Sequence, residues 1–549
     1  MLKYPSDNEI KTRKEGLTMK RFIPLLLIAA MLLTACSTKP PIPMETTPGT
    51  SGTPEPEASI PYESDFSAET LITLSDEGID TKGPNSLYVF ASNDIVYYEE
   101  KTEYESGNPY GEGEKADMHS ADEAAAHTVV NITAPGAYRI TGKLSAGQIR
   151  IDLGEDAYED EKAVVELILD NADITCTVAP AILFQNVYEC DGDWDADTAT
   201  SQVDTSAAGA NLILEGENTV QGSYVAKIFK DKDGEKKLWK QDGAIYSYMS
   251  LNVFGPGSLD LTAENEGLDT ELHLTINGGD IVIRSGNDGI NTNEDGVSVT
   301  TINAGSLHII AGLGAEGDGI DSNGYLVING GHVVSSANPA SDAGLDSDLG
   351  SYINGGTVIA LGASMDWAES DSDQVTMNLQ YGSYQSGDSA IEITREDGTK
   401  VFTFDPAADP ILAEHLRKYQ GAIISCPEFT QGDSYHVFTG GKQMMYTGTD
   451  VMQHFGHGMG QAPGLLPGTP GPDQGGFGPH PAGDITGETL PGGNMEPPVY
   501  ERPVEPEPPA EPMGEAPGQM GIPGEAGEGN ILFYMQDKVN FFSGLTPAA

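Results

Sequence analysis

The stretch GDGIDSNGYLVINGGHVVSS, residues 317–336, places an Asp-rich turn, a short β-branched run, an Asn-Gly-Gly turn and a second β-branched run in succession. The same order recurs on either side of it. Asn277-Gly278-Gly279, Asn303-Ala304-Gly305, Asn329-Gly330-Gly331 and Asn354-Gly355-Gly356 follow one another at intervals of 26, 26 and 25 residues. Directly before each Asn stands Ile276, Ile302, Ile328 or Ile353, and four positions after it Ile281, Leu307, Val333 or Val358. A third apolar column, Leu268, Ile290, Ile320 and Leu345, lies upstream. Two columns that hold register over four units, with a third displaced by four residues at Ile290 alone, indicate one winding of the chain repeated. Short strands and glycine turns predict an all-β right-handed parallel β-helix, each coil pairing with the next at about 4.8 Å. One coil cannot bury its inward side chains, so stacking must supply the core. A leucine-rich repeat is excluded by the missing Leu/Asn consensus and the shortage of helix-forming stretches.

The pattern weakens in both directions. Leu169-Asp170-Asn171-Ala172-Asp173-Ile174 keeps the five-residue spacing between apolar flanks, and LEGENTV (214–220) and VFGPGSL (253–259) add one turn residue. An acidic loop (189–209) and a lysine-rich excursion (226–241), read as a hairpin about Lys232-Asp233-Gly234, interrupt the coils. The β-helix is expected over 61–370. After Trp367 the rhythm changes, and 371–452 is predicted as an antiparallel β cap over the open end, whose edge would otherwise invite association. Residues 453–529 are rich in Gly, Pro and Glu and are predicted to be disordered. The terminal segment 530–549, with ILFYMQDKVNFF, is too apolar for a linker and is expected to dock back as a strand.

At the front, Lys20 and Arg21 precede an apolar run from Phe22 to Leu33, too short to span a membrane comfortably. Leu33-Thr34-Ala35-Cys36 matches a bacterial lipobox. Residues 1–36 are therefore expected to be a lipoprotein signal starting at Met19, with Cys36 acylated after cleavage. Residues 37–60, rich in Pro, Thr and Ser, form the tether. The expected location is the extracellular face of a bacterial membrane, lipid-anchored.

Of 549 residues, 84 are acidic and 28 basic, a formal net charge of −56. Such a chain excludes nucleic acid as a partner, because displacing a polyanion's counterions needs Lys and Arg. It also opposes acidic polysaccharide unless a divalent cation mediates. Cys176, Cys190 and Cys426 remain after Cys36, an odd number without a CxxC pair, which argues against a zinc site or a disulfide framework. A Cys176–Cys190 bridge and buried free thiols both stay open.

The DGIN and DGID turns, the Asn-Gly-Gly period, the lipobox, VVNITAPGAYRITGKLSAGQIRID (129–152) and YHVFTGG (435–441) together resemble the carbohydrate-binding domain-containing lipoproteins of clostridia and their relatives. The resemblance covers roughly residues 70–450. It implies a polysaccharide-lyase-like β-helix that binds calcium and associates with cellulosic and pectic polymers, without established catalysis.

The residues themselves carry several candidate chemistries. Glu266 and Asp269, Asp288 and Asn291, Asp318 and Asp321, and Asp342 and Asp346 recur at one corner, with Asp242 and Tyr246 heading the preceding coil. Stacked coils would bring these acids to about 5 Å, where like charges repel. A hard cation resolves the repulsion, since Ca²⁺ takes six to eight oxygens from carboxylates, amides and backbone carbonyls. The other reading is that Asp and Asn form turns by bonding backbone N–H groups. Asp191-Gly192-Asp193-Trp194-Asp195-Ala196-Asp197 opens like an EF-hand loop but lacks the sixth-position glycine and the twelfth-position Glu. Trp194, Trp239 and Trp367 are candidate sugar platforms, with local packing as the alternative. The lysines around Trp239 would suit uronate carboxylates or a merely exposed hairpin. For β-elimination a base is needed, yet residues 242–366 hold no lysine and one arginine, Arg284. Gly456-His457-Gly458 falls in the Pro/Gly-rich tail. The sequence thus predicts a non-catalytic surface lipoprotein that binds polysaccharide, such as polygalacturonate or cellulose, through a calcium-bearing β-helix. A calcium-dependent lyase or glycosidase and a structural adhesin are the alternatives.

Overall fold

The computed structural model describes residues 59–98, 115–192, 194–226, 240–363, 365–449 and 529–548. Cys36 and the lipobox, the tether up to residue 58, Trp239 with most of the lysine-rich excursion, and the Pro/Gly-rich stretch up to residue 528 lie outside the described residues.

The described chain is nearly all β, and its windings pair in parallel. Leu274–Ser285 pairs with Val299–Ile310, which pairs with Tyr325–Ile328 and His332–Ser336. These in turn pair with Gly350–Ile353 and Thr357–Gly362. The apolar columns of the sequence are register partners: Ile276 faces Ile302, Ile302 faces Ile328, and Ile328 faces Ile353. Ile281, Leu307, Val333 and Val358 form a second column in the same way. All eight are buried in one aliphatic core that runs through the windings. Full burial of each contributes about 1.5–3 kcal/mol, which a winding gains only when its neighbours are present.

The earlier windings follow a different alignment from the one expected. Leu169 faces Leu214 and Ile174 faces Val220, but Val253 faces Leu212. Leu259 faces Asn218, and Val220 faces Leu261. The flanks of LEGENTV therefore sit two residues beyond those of VFGPGSL. A strand's side chains repeat every two residues, so this slip keeps the apolar residues facing inward and is invisible to pattern matching.

The Asn-Gly-Gly turns stack as well. The third position is Gly in every winding because φ is positive there, 91° at Gly305 and 79° at Gly356. A Cβ on Gly305 would also lie 2.7 Å from the Gly279 carbonyl oxygen of the winding below. The Asn amides form a ladder: Asn303 donates to Asn277, Asn329 to Asn303 and Asn354 to Asn329, each at 2.9 Å.

A second parallel sheet runs through Gly147–Asp152, Ile182–Asn186, Gly243–Ser247, Glu266–Thr270, Ile290–Thr292, Ile320–Ser322 and Asp346–Ser347. Its strands shorten along the stack, and they carry the acidic corner.

Beyond the last winding the pairing turns antiparallel. Thr357–Gly362 pairs with Tyr419–Ser425, which also pairs with Thr376–Gln385. The C-terminal strand Val539–Pro547 lies parallel to Thr376–Gln385. A second core, with Met377, Leu379, Tyr381, Phe533 and Phe542, fills this cap and includes Val334 and Ile359 from the outer face of the last windings. Cys176, Cys190 and Cys426 are free thiols.

Candidate metal-binding edge

The short second sheet fixes the acidic corner by register. Tyr246 faces Asp269, Asp269 faces Asn291, Asn291 faces Asp321, and Asp321 faces Asp346. Each small step along the stack is one winding, about 4.8 Å. Glu266, Asp288 and Asp318 stand three residues before their partners and form a parallel row. Asp269 is fully buried and Glu266 is 4% exposed.

At the near end of this edge, carboxylate oxygens of Asp242, Glu266 and Asp269 lie within 4.8 Å of one another. Glu266 Oε2 and Asp269 Oδ2 are buried without a well-formed hydrogen bond, and the two carboxyls and the Asn291 amide are close neighbours. The other oxygen of Asp269 accepts from Asn293 Nδ2 at 2.6 Å. Burial, then the neighbouring carboxylates, raises the proton affinity of both Glu266 and Asp269. An ionised carboxylate in such a place needs a cation beside it.

Lys240 supplies part of that charge. Its Nζ is 2.9 Å from Asp242 Oδ2 and donates to Asn293 Oδ1 at 2.8 Å. Its side chain is 21% exposed, against the sequence expectation that it belongs to an exposed hairpin. Burial opposes its charge, but Asp242, Glu266, Asp269 and Glu271 outweigh burial and hold the ammonium well above its ordinary pKa. Glu271 accepts the Tyr246 hydroxyl proton in a hydrogen bond and is a further member that the repeat did not reveal. Lys240 and Asn293 are 53 residues apart in sequence, and no periodicity links them. The one local signal was that Lys240 stands two residues before Asp242, the acid that opens its winding.

Farther along, the acids have mixed roles. Asp288 Oδ1 accepts the Asp318 N–H at 2.7 Å, and Asp318 Oδ1 accepts the Ala343 N–H at 2.5 Å. These bonds clamp one winding to the next. Asp342 leaves the row: the Asp342–Asp346 spacing is four where the other pairs have three, so Ala343 takes the place opposite Asp318. The Asp342 carboxylate instead turns back to accept the Gly317 N–H at 2.7 Å. Burial and the adjacent acids push Asp288 up to about 9, Asp318 to about 6, Asp321 to about 7 and Asp346 to about 9. Asp366, from beyond the last winding, joins the row beside Asp346 and accepts the Ser347 N–H at 3.3 Å. Arg284, the arginine of the regular windings, is engaged elsewhere, by Asp260 at 2.8 Å and Glu414 at 2.9 Å.

Residues 126–413, just over half the chain, match the model of the family described as carbohydrate-binding domain-containing protein. The chain belongs to that family. A carbohydrate-binding domain-containing protein of Acetivibrio thermocellus is 27% identical over 157 residues, 28% of this chain and 45% of the relative. The alignment thus spans less than half of that relative's length. A polysaccharide lyase-like protein from C. thermocellum, solved as a gadolinium derivative, is 19% identical over 52% of this chain and 92% of that one. Its TM-score of 0.30 is too low to bear on fold or function.

Within this carbohydrate-binding family member the aromatic candidates are dispersed. Trp194 is half-buried in the acidic loop, which is tied to the coil where the Glu189 carboxylate accepts from Ser250 N at 2.7 Å and Ser250 Oγ at 2.9 Å. Trp239 lies outside the described residues. Trp367 packs against the core and meets Phe541 edge-on, ring centroids 4.9 Å apart. It lies at the far end of the stack, away from the Asp242–Glu266–Asp269 group. Among the described residues no helix is long and apolar enough to cross a membrane.

Proposed function

We propose that this chain is a lipoprotein, anchored through Cys36, whose right-handed parallel β-helix binds cellulosic or pectic polysaccharide through calcium on its acidic edge. The observation that carries the reading is the pair of buried oxygens without a well-formed hydrogen bond, Glu266 Oε2 and Asp269 Oδ2, beside Asp242. The donor set is oxygen only, as a hard cation requires. Asp242, Glu266 and Asp269 would hold the ion, with the Asn291 and Asn293 amides adjacent. The row through Asp288, Asp318, Asp321 and Asp346 offers further oxygens. Bound calcium would supply the positive charge the ionised row lacks and coordination positions for glycan oxygens. Asp288 and Asp318 would keep the windings in register, and so keep the row straight.

A binding role is favoured over β-elimination by the state of Lys240. A proton-abstracting base must be neutral and free to reach its substrate, whereas the Lys240 ammonium is 2.9 Å from Asp242 Oδ2 and donates to Asn293 Oδ1 at 2.8 Å.

The test uses the purified full-length protein with insoluble polygalacturonate, in calcium and in chelator. Retention that requires calcium, without new reducing ends or unsaturated product, is the expected result. Equal retention in chelator would overturn the calcium edge, and steady release of unsaturated product would replace binding by lyase chemistry.

A further inference from the structure

The last winding, the cap and the C-terminal strand line an open-sided cavity of about 720 Å³, which adjoins the far end of the acidic row through Asp366 and Ser347. Its volume is in the range of small-ligand sites, and it lies at a junction between structural units, where such sites concentrate. Three observations describe what would fit. Trp367, Phe541 and Tyr534 line it, and Tyr534 is 51% exposed. Asn378 also lines it, is 1% exposed, and its Oδ1 is buried without a hydrogen-bond partner. The remaining polar wall is rich in acceptors, with Asp348 and Asp537 among its carboxylates. Among the described lining residues Lys538 is the cation, and it is already paired with Asp373 at 2.8 Å.

An orphaned buried amide oxygen and a carboxylate-lined wall call for a ligand that donates hydrogen bonds. A carboxylated sugar would bring negative charge against negative charge. Aromatic faces suit the C–H surface of a pyranose ring. We propose that this cavity takes the end of a neutral, hydroxyl-rich saccharide chain, with no need for calcium. The proposal rests on the glycan-binding reading of the chain but not on the metal edge. It also gives the C-terminal segment a role, since Lys538 to Phe542 and Tyr534 build one wall and lie beyond residues 126–413 that match the family.

The experiment is calorimetric titration of the full-length protein in chelator with cellotetraose and, separately, with tetragalacturonate. Cellotetraose is expected to bind in chelator and tetragalacturonate to be at least about tenfold weaker. Tyr534→Ala removes a half-exposed ring at the wall and should weaken cellotetraose about tenfold. Asn378→Leu removes an unpaired buried acceptor, so it should keep its melting temperature and lose a similar factor. No heat from cellotetraose, binding only with calcium, or tighter tetragalacturonate would each overturn the proposal. Polygalacturonate retention measured in parallel separates the two readings. Retention without cellotetraose binding sinks the cavity alone, and cellotetraose binding without calcium-dependent retention sinks the metal edge alone.

Discussion

Asp321→Asn should make the protein more stable when calcium is absent. Asp321 sits between Asn291 and Asp346 in the row, and the nearby Asn323 amide donates to Asn291 Oδ1 instead of to it. Burial first, and Asp318 next, move its pKa from 3.8 to about 7. The folded chain therefore holds this proton longer than the unfolded chain. Stability from the residue is full at acid pH and is lost as pH rises through the interval between those two values. Ionising a group about three pH units late corresponds to about 4 kcal/mol. Relaxation of Asp318 and Glu266 around the new charge reduces that, so about 2–4 kcal/mol is expected at about pH 8. Asparagine never ionises and escapes this loss. Guanidinium unfolding in chelator should show the variant about 2–4 kcal/mol more stable than the parent at about pH 8 and little different near pH 4. With saturating calcium the order should reverse, because the parent gains binding free energy that the variant lacks. A variant less stable than its parent in chelator at about pH 8 would refute the reasoning. Asp321 would then be stabilised as an anion, and the row would need no cation.

Three further outcomes follow from other parts of the molecule. Lys240→Met removes the ammonium that partly neutralises Asp242, Glu266 and Asp269; it should lower stability in chelator by about 2 kcal/mol and enlarge the thermal shift on adding calcium. Gly305→Ala places a Cβ 2.7 Å from Gly279 O at φ 91°, and denaturant unfolding should show a loss of about 2 kcal/mol or more. Cys36→Ala should abolish incorporation of labelled palmitate in a bacterial host and release the protein from membrane pellets, whereas the parent retains both signals.

The parts of this molecule legible in its sequence are those built by repetition. A winding of about 25 residues writes its inward side chains at fixed intervals, so Ile276, Ile302, Ile328 and Ile353 could be aligned before any contact was known, and they are register partners. The same arithmetic applied to Asp342 misleads by one position, because a single added residue between it and Asp346 rotates its carboxylate out of the row and onto the Gly317 N–H. Lys240, Glu271 and Asn293 were not legible as a group. Their meeting depends on where an interrupted winding re-enters the stack, which no periodicity records. The cavity between Asn378 and the C-terminal strand was hidden for the same reason, since its walls are more than 150 residues apart. The periodicity also ties the core to the charge. The register that stacks Leu268 on Ile290 and Ile320 also stacks Asp269 on Asn291 and Asp321. Inward burial and outward repulsion therefore increase together with each added winding. The chain relieves the repulsion with Asn291 in the middle of the column and with Lys240 near one end, and burial with the neighbouring acids raises the proton affinity of Asp288 and Asp346. On the proposed calcium reading each of these stands in for part of the cation's charge, and each should become dispensable when the ion is bound.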